Sequence, residues 1–230
     1  MMRNTTVRRH RAACVAAALV LVVLPAALAG GGGNVLPPGA RPHGVTLADM
    51  ARALALFTTN GNDPDFYPDT PFQVLFADPD SFEFNVVGDE LLETGSNTFT
   101  VRPGTSFYMP LFNVDDSPPI LGTFPTTARG AVGYVFDPEQ LGLGDVEVVV
   151  DGRATAIGPA WLAGPVQTPP LGDGGGTHII TLGVFLTPLS VGTHTVSFSG
   201  RYTGDLIEPA LGFPAFGGAF TYTVHVVPGY

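Results

Sequence analysis

The sequence predicts a mainly β protein, an antiparallel immunoglobulin-like β-sandwich preceded by one short amphipathic helix. Of its 230 residues 45% are hydrophobic and only 13% are charged, which favours a packed domain over a disordered chain. Its 30 glycines and 22 prolines leave little room for long helices and lack the three-residue period of collagen. From residue 72 onwards, short runs with alternating apolar and polar residues are separated by turn residues, as in a sandwich.

The first residues have the pattern of an export signal. Four arginines precede an apolar run, and the small residues Ala27 and Ala29 suit cleavage before Gly30. We therefore expect residues 1–29 to be a signal peptide and the mature chain to be secreted or periplasmic. A retained membrane anchor is the alternative, because the apolar run is nearly long enough to cross a bilayer. The sequence leaves open whether export is general or twin-arginine; after cleavage no membrane span is expected.

Removal of the signal would leave an acidic chain without lysine or cysteine. Residues 30–230 contain six arginines and 20 acidic residues, a formal net charge of −14. Such a surface repels phosphate groups, which argues against nucleic acids and anionic lipids as partners. Without cysteine the domain cannot form a disulfide, so its core, alone or with a bound cation, must hold it together.

The segment after the signal predicts a spacer and then a helix. Residues 30–44 are rich in glycine and proline and predict a flexible spacer. Residues 45–71 predict a helix followed by a loop rich in Asn and Asp. Thr46 and Asp49 have the spacing of a capping box. The apolar residues that follow form one stripe, which we expect to dock on the sheet: Leu47, Met50, Leu54 and Phe57.

The remaining residues, 72–230, predict the β-sandwich domain. A tight hairpin is expected at Asp151-Gly152, between runs 146–150 and 153–157. The other expected strands are residues 72–76, 82–87, 98–101, 106–112, 178–187, 193–202 and 220–227, with residues 131–136 as a further candidate. Three long connections, residues 114–130, 158–177 and 203–218, are the expected contact surface, because loops of this length are often functional.

A cluster of oxygen-bearing side chains in the loop after the helix is a candidate calcium site. Its residues are Asn60, Asn62, Asp63, Asp65 and Asp69. Calcium takes oxygen ligands and is abundant outside cells, although the spacing is not that of an EF-hand. The alternative is a cluster of turn residues, since Asn and Asp are also frequent in turns.

Trp161 is the candidate ligand contact. It lies in one of the long connections, between two Gly-Pro pairs. An aromatic ring in such a loop can present a flat face to a sugar or a partner protein. The alternative is that Trp161 closes one end of the sandwich core.

No catalytic motif is present in the sequence. Zinc-hydrolase, nucleophile-elbow and phosphate-loop patterns are all absent. His178, His194 and His225 lie on expected strands, but their alternation argues against a shared metal site. Paired acids occur in loops, yet a glycosidase pair depends on the distance between carboxyl groups in the fold.

Several segments resemble a family of uncharacterised secreted bacterial proteins. Residues 98–113 resemble its V-P-x-G and F-x-P-L-x-N motifs, and residues 145–152 its I-D-G hairpin. Residues 183–200 resemble its P-L-S-x-G-x-H-T strand pair, and residues 221–228 its closing strand. The resemblance implies export and a β-sandwich, and implies no activity. Members often have cysteines where Phe99 and Asp116 stand here, and their joint absence is consistent with the loss of one disulfide.

The sequence thus favours an exported non-catalytic β-sandwich module that binds an extracellular protein or glycan, or has a structural role at the cell exterior. Whether the protein is an enzyme stays open. One alternative is a carbohydrate-active hydrolase that uses loop carboxylates. The other is a calcium-dependent adhesion or surface component. No cofactor is expected apart from the possible calcium ion.

Overall fold

Two β-sheets lie face to face in the computed structural model, which describes residues 34–172 and 174–229. Its strands are β1 (Gln73–Val74), β2 (Glu83–Val87), β3 (Glu90–Val101), β4 (Phe107–Asp115), β5 (Leu143–Val150), β6 (Arg153–Ala156), β7 (Leu162–Gln167), β8 (His178–Leu186), β9 (Gly192–Tyr202) and β10 (Ala215–Val226). Its α-helices are α1 (Leu47–Thr59), α2 (Ala128–Phe136) and α3 (Ile207–Leu211). The four-stranded sheet has the order β1-β4-β8-β7, and the six-stranded sheet has the order β2-β3-β10-β9-β5-β6. The expected signal peptide, residues 1–29, lies outside the described residues.

The mainly β sandwich expected from the sequence is confirmed. Within the described ranges, six strand pairings are antiparallel, and the other two, β1 with β4 and β3 with β10, are parallel. The second of these runs without a break from the Glu90–Ala215 pair to the Val101–Val226 pair. Side chains alternate between the faces of a strand whichever way its neighbour runs, so alternation alone could not predict the parallel pairs.

One aromatic ring of the four-stranded sheet fills a gap in the six-stranded sheet. Phe112 of β4 lies over Gly200 and Gly218, which are paired neighbours on β9 and β10. A Cβ atom on Gly200 would lie 2.7 Å from the Phe112 ring, and one on Gly218 would lie 3.1 Å from it. The ring also makes edge contacts with Phe198 and Tyr202, at centroid distances of 5.7 and 5.4 Å. The glycines therefore make room for an aromatic contact that joins the sheets.

Helix α1 forms as expected and covers the outer face of the four-stranded sheet. The Thr46 hydroxyl accepts a hydrogen bond from the Asp49 N–H, and the Asp49 carboxylate accepts one from the Thr46 N–H, which completes the capping box. The whole predicted apolar stripe is buried. It packs with β7 and β8, where the core includes Ala163, Ile179 and Phe185. The four-stranded sheet is thus buried on both faces.

Residues 34–36 differ from the flexible spacer expected over residues 30–44. Val35 forms a bridge with Leu186 at the end of β8. The Leu36 N–H donates to the Phe185 carbonyl at 2.8 Å. This short piece of backbone therefore pairs with the end of β8 that β7 does not reach. Its apolar residues explain the difference, because Val35 and Leu36 both pack against the core.

The strand expected at residues 131–136 is wrong, since this segment belongs to α2. The buried residues of this helix are Ala131, Tyr134 and Val135. They stand at positions i, i+3 and i+4, which lie on one face of a helix. The Thr127 hydroxyl accepts a hydrogen bond from the Gly130 N–H and caps the helix. No helix within the described ranges has the length and hydropathy needed to cross a bilayer.

The remaining strand predictions are mostly confirmed, with three omissions. The hairpin at Asp151-Gly152 is confirmed: both residues have positive φ, 49° and 78°, and Val150 pairs with Arg153. Strand β7 lies inside the connection expected at residues 158–177. Residues 90–97 of β3 were also missed, because Leu91 and Leu92 interrupt the alternation of apolar and polar residues. Residues 215–219 of β10 were missed because Gly217 and Gly218 interrupt it there.

Replacing Gly200 with Ala is expected to destabilise the sandwich by about 1–3 kcal/mol, because the new methyl group overlaps the Phe112 ring. Gly144 is the matched control: it is an exposed glycine of β5, and no heavy atom lies within 4 Å of the place that a methyl group would take there. Gly144→Ala should change the free energy of unfolding by less than about 0.5 kcal/mol. Urea unfolding of both variants tests the difference, and equal stabilities would contradict the packing of Phe112 in the glycine gap.

Candidate binding cleft

A cleft of about 740 Å³ lies between the two sheets, next to Phe112. We call it the aromatic cleft, because nine aromatic rings line it: Phe76, Phe82, Phe84, Phe112, Phe198, Tyr202, Phe216, Phe220 and Tyr222. Leu121 and Leu211 border it from two of the three long connections. Those two connections thus contribute to one cavity, and their role as a contact surface stays a prediction.

Alternation along the strands brings most of these rings to one face. Phe84 of β2 pairs with Glu93 of β3, and Glu93 pairs with Gly218 of β10. Residues paired across neighbouring strands point to the same side of a sheet, so all three lie on the inner face. Phe216 pairs with Tyr202, and their rings are stacked at a centroid distance of 6.2 Å. The floor of the cleft is therefore a single surface of the six-stranded sheet.

Glu93 is the one charged residue among the described residues that line the cleft. Its side chain is half-buried, and this desolvation raises the pKa of the carboxyl group above its usual value of 4.5. Within the described ranges, no residue donates a hydrogen bond to it or forms an ion pair with it. A negative charge in this apolar setting is not compensated by any of the described residues.

Two tyrosines of the cleft stay neutral. Burial raises the pKa of both Tyr202 and Tyr222 far above the usual value of 10. The other polar side chains of the lining are Thr58, Asn62 and Asn113. General acid–base catalysis needs a group that exchanges its proton near the working pH, and hydrolysis of a glycoside usually needs two carboxyl groups. The cleft offers one carboxyl group, so the hydrolase alternative stays a prediction.

The rim of the cleft is an exposed apolar strand. Every residue of β2 is exposed, and Phe84, Val86 and Val87 have exposed fractions of 62%, 60% and 60%. Phe84 and Val86 point to the cleft side, whereas Val87 points to the outer face. Large apolar side chains grouped on a free strand are typical of an interaction surface.

The candidate calcium ligands are used mainly as turn residues in this structure. The Asn60 amide donates to the Leu56 carbonyl at the end of α1, and the Asn62 amide donates to the Ala77 carbonyl. Asp63 accepts a hydrogen bond from the Asp65 N–H, and Asp65 and Asp69 are exposed. No group of three or more His, Cys, Asp or Glu residues suited to a metal occurs in the described part of the chain. The calcium site stays a prediction.

Trp161 lies between the two core clusters and contacts both. Its indole N–H donates to the Leu36 carbonyl at 3.2 Å, and the ring is half-buried. The ring therefore attaches residues 34–36 to the sandwich. This geometry matches the alternative that Trp161 closes one end of the core.

Each strand histidine has its own partner, and His194 and His225, although on the neighbouring strands β9 and β10, lie on opposite faces of the sheet. His178 Nδ1 is 2.9 Å from the Asp116 carboxylate, and His194 Nδ1 is 2.7 Å from that of Asp151. His225 contacts the Thr193 hydroxyl instead. Asp116 also accepts hydrogen bonds from the N–H groups of Thr177 and His178. Burial alone would raise the pKa of Asp116, but these hydrogen bonds outweigh it and lower that pKa.

Similarity to known proteins is slight. No protein-family model matches the chain, and no curated protein matches it. A solved structure that matches is "Structure of PbICP-C in complex with falcipain-2", with 12% identity, 68% of this chain and 100% of that chain covered, and a TM-score of 0.24. At this identity and TM-score the match carries no inference about function or partner.

Replacing Trp161 with Ala is expected to lower the free energy of unfolding by about 2–3 kcal/mol, because both core clusters lose their packing against the half-buried indole ring. Trp161→Phe keeps one aromatic ring and loses the indole donor with part of the packing, so it should cost less, about 1 kcal/mol. Chemical unfolding of the two variants measures this. Unchanged stability in Trp161→Ala, with loss of binding to a partner, would instead favour the contact role.

Proposed function

We propose that the protein is an exported, non-catalytic binding module whose aromatic cleft receives an apolar group that carries a positive charge. The observation that carries the proposal is the half-buried carboxylate of Glu93, which has no described partner and lies among nine aromatic rings. The export part rests on the pattern of residues 1–29.

The size and lining of the cleft support binding of an organic group. Small-molecule and side-chain sites have volumes of about 300–1,000 Å³ and are lined mainly by apolar and aromatic residues with few polar groups. The aromatic cleft, at about 740 Å³, has this composition. Apart from Glu93 and the buried tyrosines, the polar side chains of the lining are Thr58, Asn62 and Asn113, which are few for a glycan, so we favour a protein partner over a glycan.

The charge of the bound group follows from Glu93. A carboxylate that is partly removed from water gains most from a cation placed beside it. Aromatic faces such as Phe84 and Phe216 attract the same cation through their quadrupoles. An amine or guanidinium on an apolar stem meets both conditions.

The test compares phenethylamine with 2-phenylethanol, which differ in the charged group. We expect the amine to bind more tightly, and Glu93→Gln to weaken amine binding about tenfold while leaving the alcohol unchanged. Glu90→Gln is the matched control, because Glu90 lies on the outer face of the same hairpin and pairs with Arg201. Isothermal titration calorimetry measures the affinities.

The pH dependence has a definite sign. Because the pKa of Glu93 is raised, the carboxylate becomes neutral on acidification at a higher pH than an ordinary glutamate. Amine binding should therefore fall as the pH drops through that raised pKa, while alcohol binding stays constant. Equal affinity of amine and alcohol for the unmodified protein, at neutral pH, would overturn the proposal.

A further inference from the structure

The edge of β2 differs from the other sheet edges of the sandwich. Exposed edge strands invite pairing with other chains, and proteins normally protect them by shortness, charge or cover. β1 has two residues, β6 is short and carries Arg153, and β7 lies against α1 and α2. β2 has five exposed residues without proline or a basic side chain, its one charge is Glu83 at its first position, and no segment of the described chain pairs with its outer edge.

The hairpin turn fixes which backbone groups of β2 face outwards. Gly88 and Asp89 form a two-residue turn with Gly88 at φ 68°, so Val87 and Glu90 are the pair next to the turn. Ladder hydrogen bonds then alternate along the antiparallel pair. The N–H and C=O groups of Phe84 and Val86 therefore point to the free edge, and their side chains face the aromatic cleft.

The charge of the hairpin determines what can pair with this edge. Residues 83–94 contain four acidic side chains, Glu83, Asp89, Glu90 and Glu93, and no lysine or arginine. Only Glu90 has an ion pair among the described residues, with Arg201 at 3.0 Å. A second copy of this edge would place like charges together, which is unfavourable across strands. A basic segment would complement them.

We propose that the free edge of β2 accepts an extended, basic segment of a partner protein as an additional strand. Its apolar side chains lie beside Phe84 and Val86 at the mouth of the cleft. Its basic side chains lie on the outer face, opposite Glu83, so the segment alternates apolar and basic residues. This inference rests on the proposed function, because the added strand forms a wall of the same cleft.

The test uses a blocked octapeptide of alternating lysine and valine, with a glutamate–valine octapeptide as the charge control. We expect the lysine peptide to bind the unmodified protein and the glutamate peptide not to bind. Val86→Pro removes an outward N–H at an edge position where proline is tolerated, and should weaken binding at least tenfold. Val86→Thr keeps the N–H and the shape, and should bind as the unmodified protein does.

A second measurement needs no variant. Amide hydrogen exchange at Phe84 and Val86 should slow when the lysine peptide is bound, because their N–H groups become hydrogen-bonded. Unchanged exchange at saturating peptide, absence of peptide binding, or equal affinity for folded Val86→Pro would overturn the proposal. Dimerisation of the unmodified protein that Val86→Pro abolishes would identify a second copy as the occupant and also overturn it.

Phenethylamine distinguishes this failure from a failure of the proposed function. Val86 is not among the residues that line the cleft around Glu93, so Val86→Pro should bind the amine normally. Amine binding without peptide binding would overturn strand addition alone. If the unmodified protein binds neither phenethylamine nor the lysine peptide, both proposals are overturned.

Discussion

The contact between Phe112 and the glycine pair Gly200–Gly218 is the interaction on which both the sandwich and its cleft depend. Residues 30–230 contain no cysteine, so apolar packing has to hold the sheets together. The Phe112 ring contributes to this packing because it fills the space above the two glycines and reaches the backbone of the opposite sheet. Phe112 also lines the aromatic cleft, so the side chain that joins the two sheets forms part of the cleft wall.

The two sheets have different surroundings, and their sequences reflect this. β8 is buried along almost its whole length, with α1 covering one face and the six-stranded sheet the other. Its sequence is nearly continuously apolar, as is usual for strands buried on both faces. β9 alternates apolar and polar residues instead, because its outer face is in contact with solvent. The four-stranded sheet is thus covered on both faces, whereas β2, at one edge of the six-stranded sheet, is exposed.

Sequence reasoning succeeded where the signal is local and failed where it depends on distant partners. The capping box of Thr46 and the hairpin at Asp151-Gly152 are set by neighbouring residues, and both were predicted correctly. Residues 131–136 were misassigned because their apolar residues fit a strand as well as a short helix. The cleft was only partly predictable: Phe82 and Phe84 alternate with Glu83 and Asn85, but nothing local shows that they face Phe216 and Phe112. Nothing in the sequence distinguishes Glu93 from the other acidic residues, because the residues that surround it in the cleft lie on other strands.

The parallel pairing of β3 with β10 has a consequence for how the protein acquires its binding surface. β3 lies early in the chain and β10 is the last strand described, so their pairing closes a loop of more than half the sequence. Such long-range pairing forms slowly, because the chain must first lose the entropy of closing that loop. Glu93 lies beside Gly218 only after β10 has paired with β3. Phe216 joins the floor of the cleft in the same step. A chain truncated before β10 can form hairpins but lacks most of the cleft floor, so the cleft exists only once the whole sandwich has been assembled.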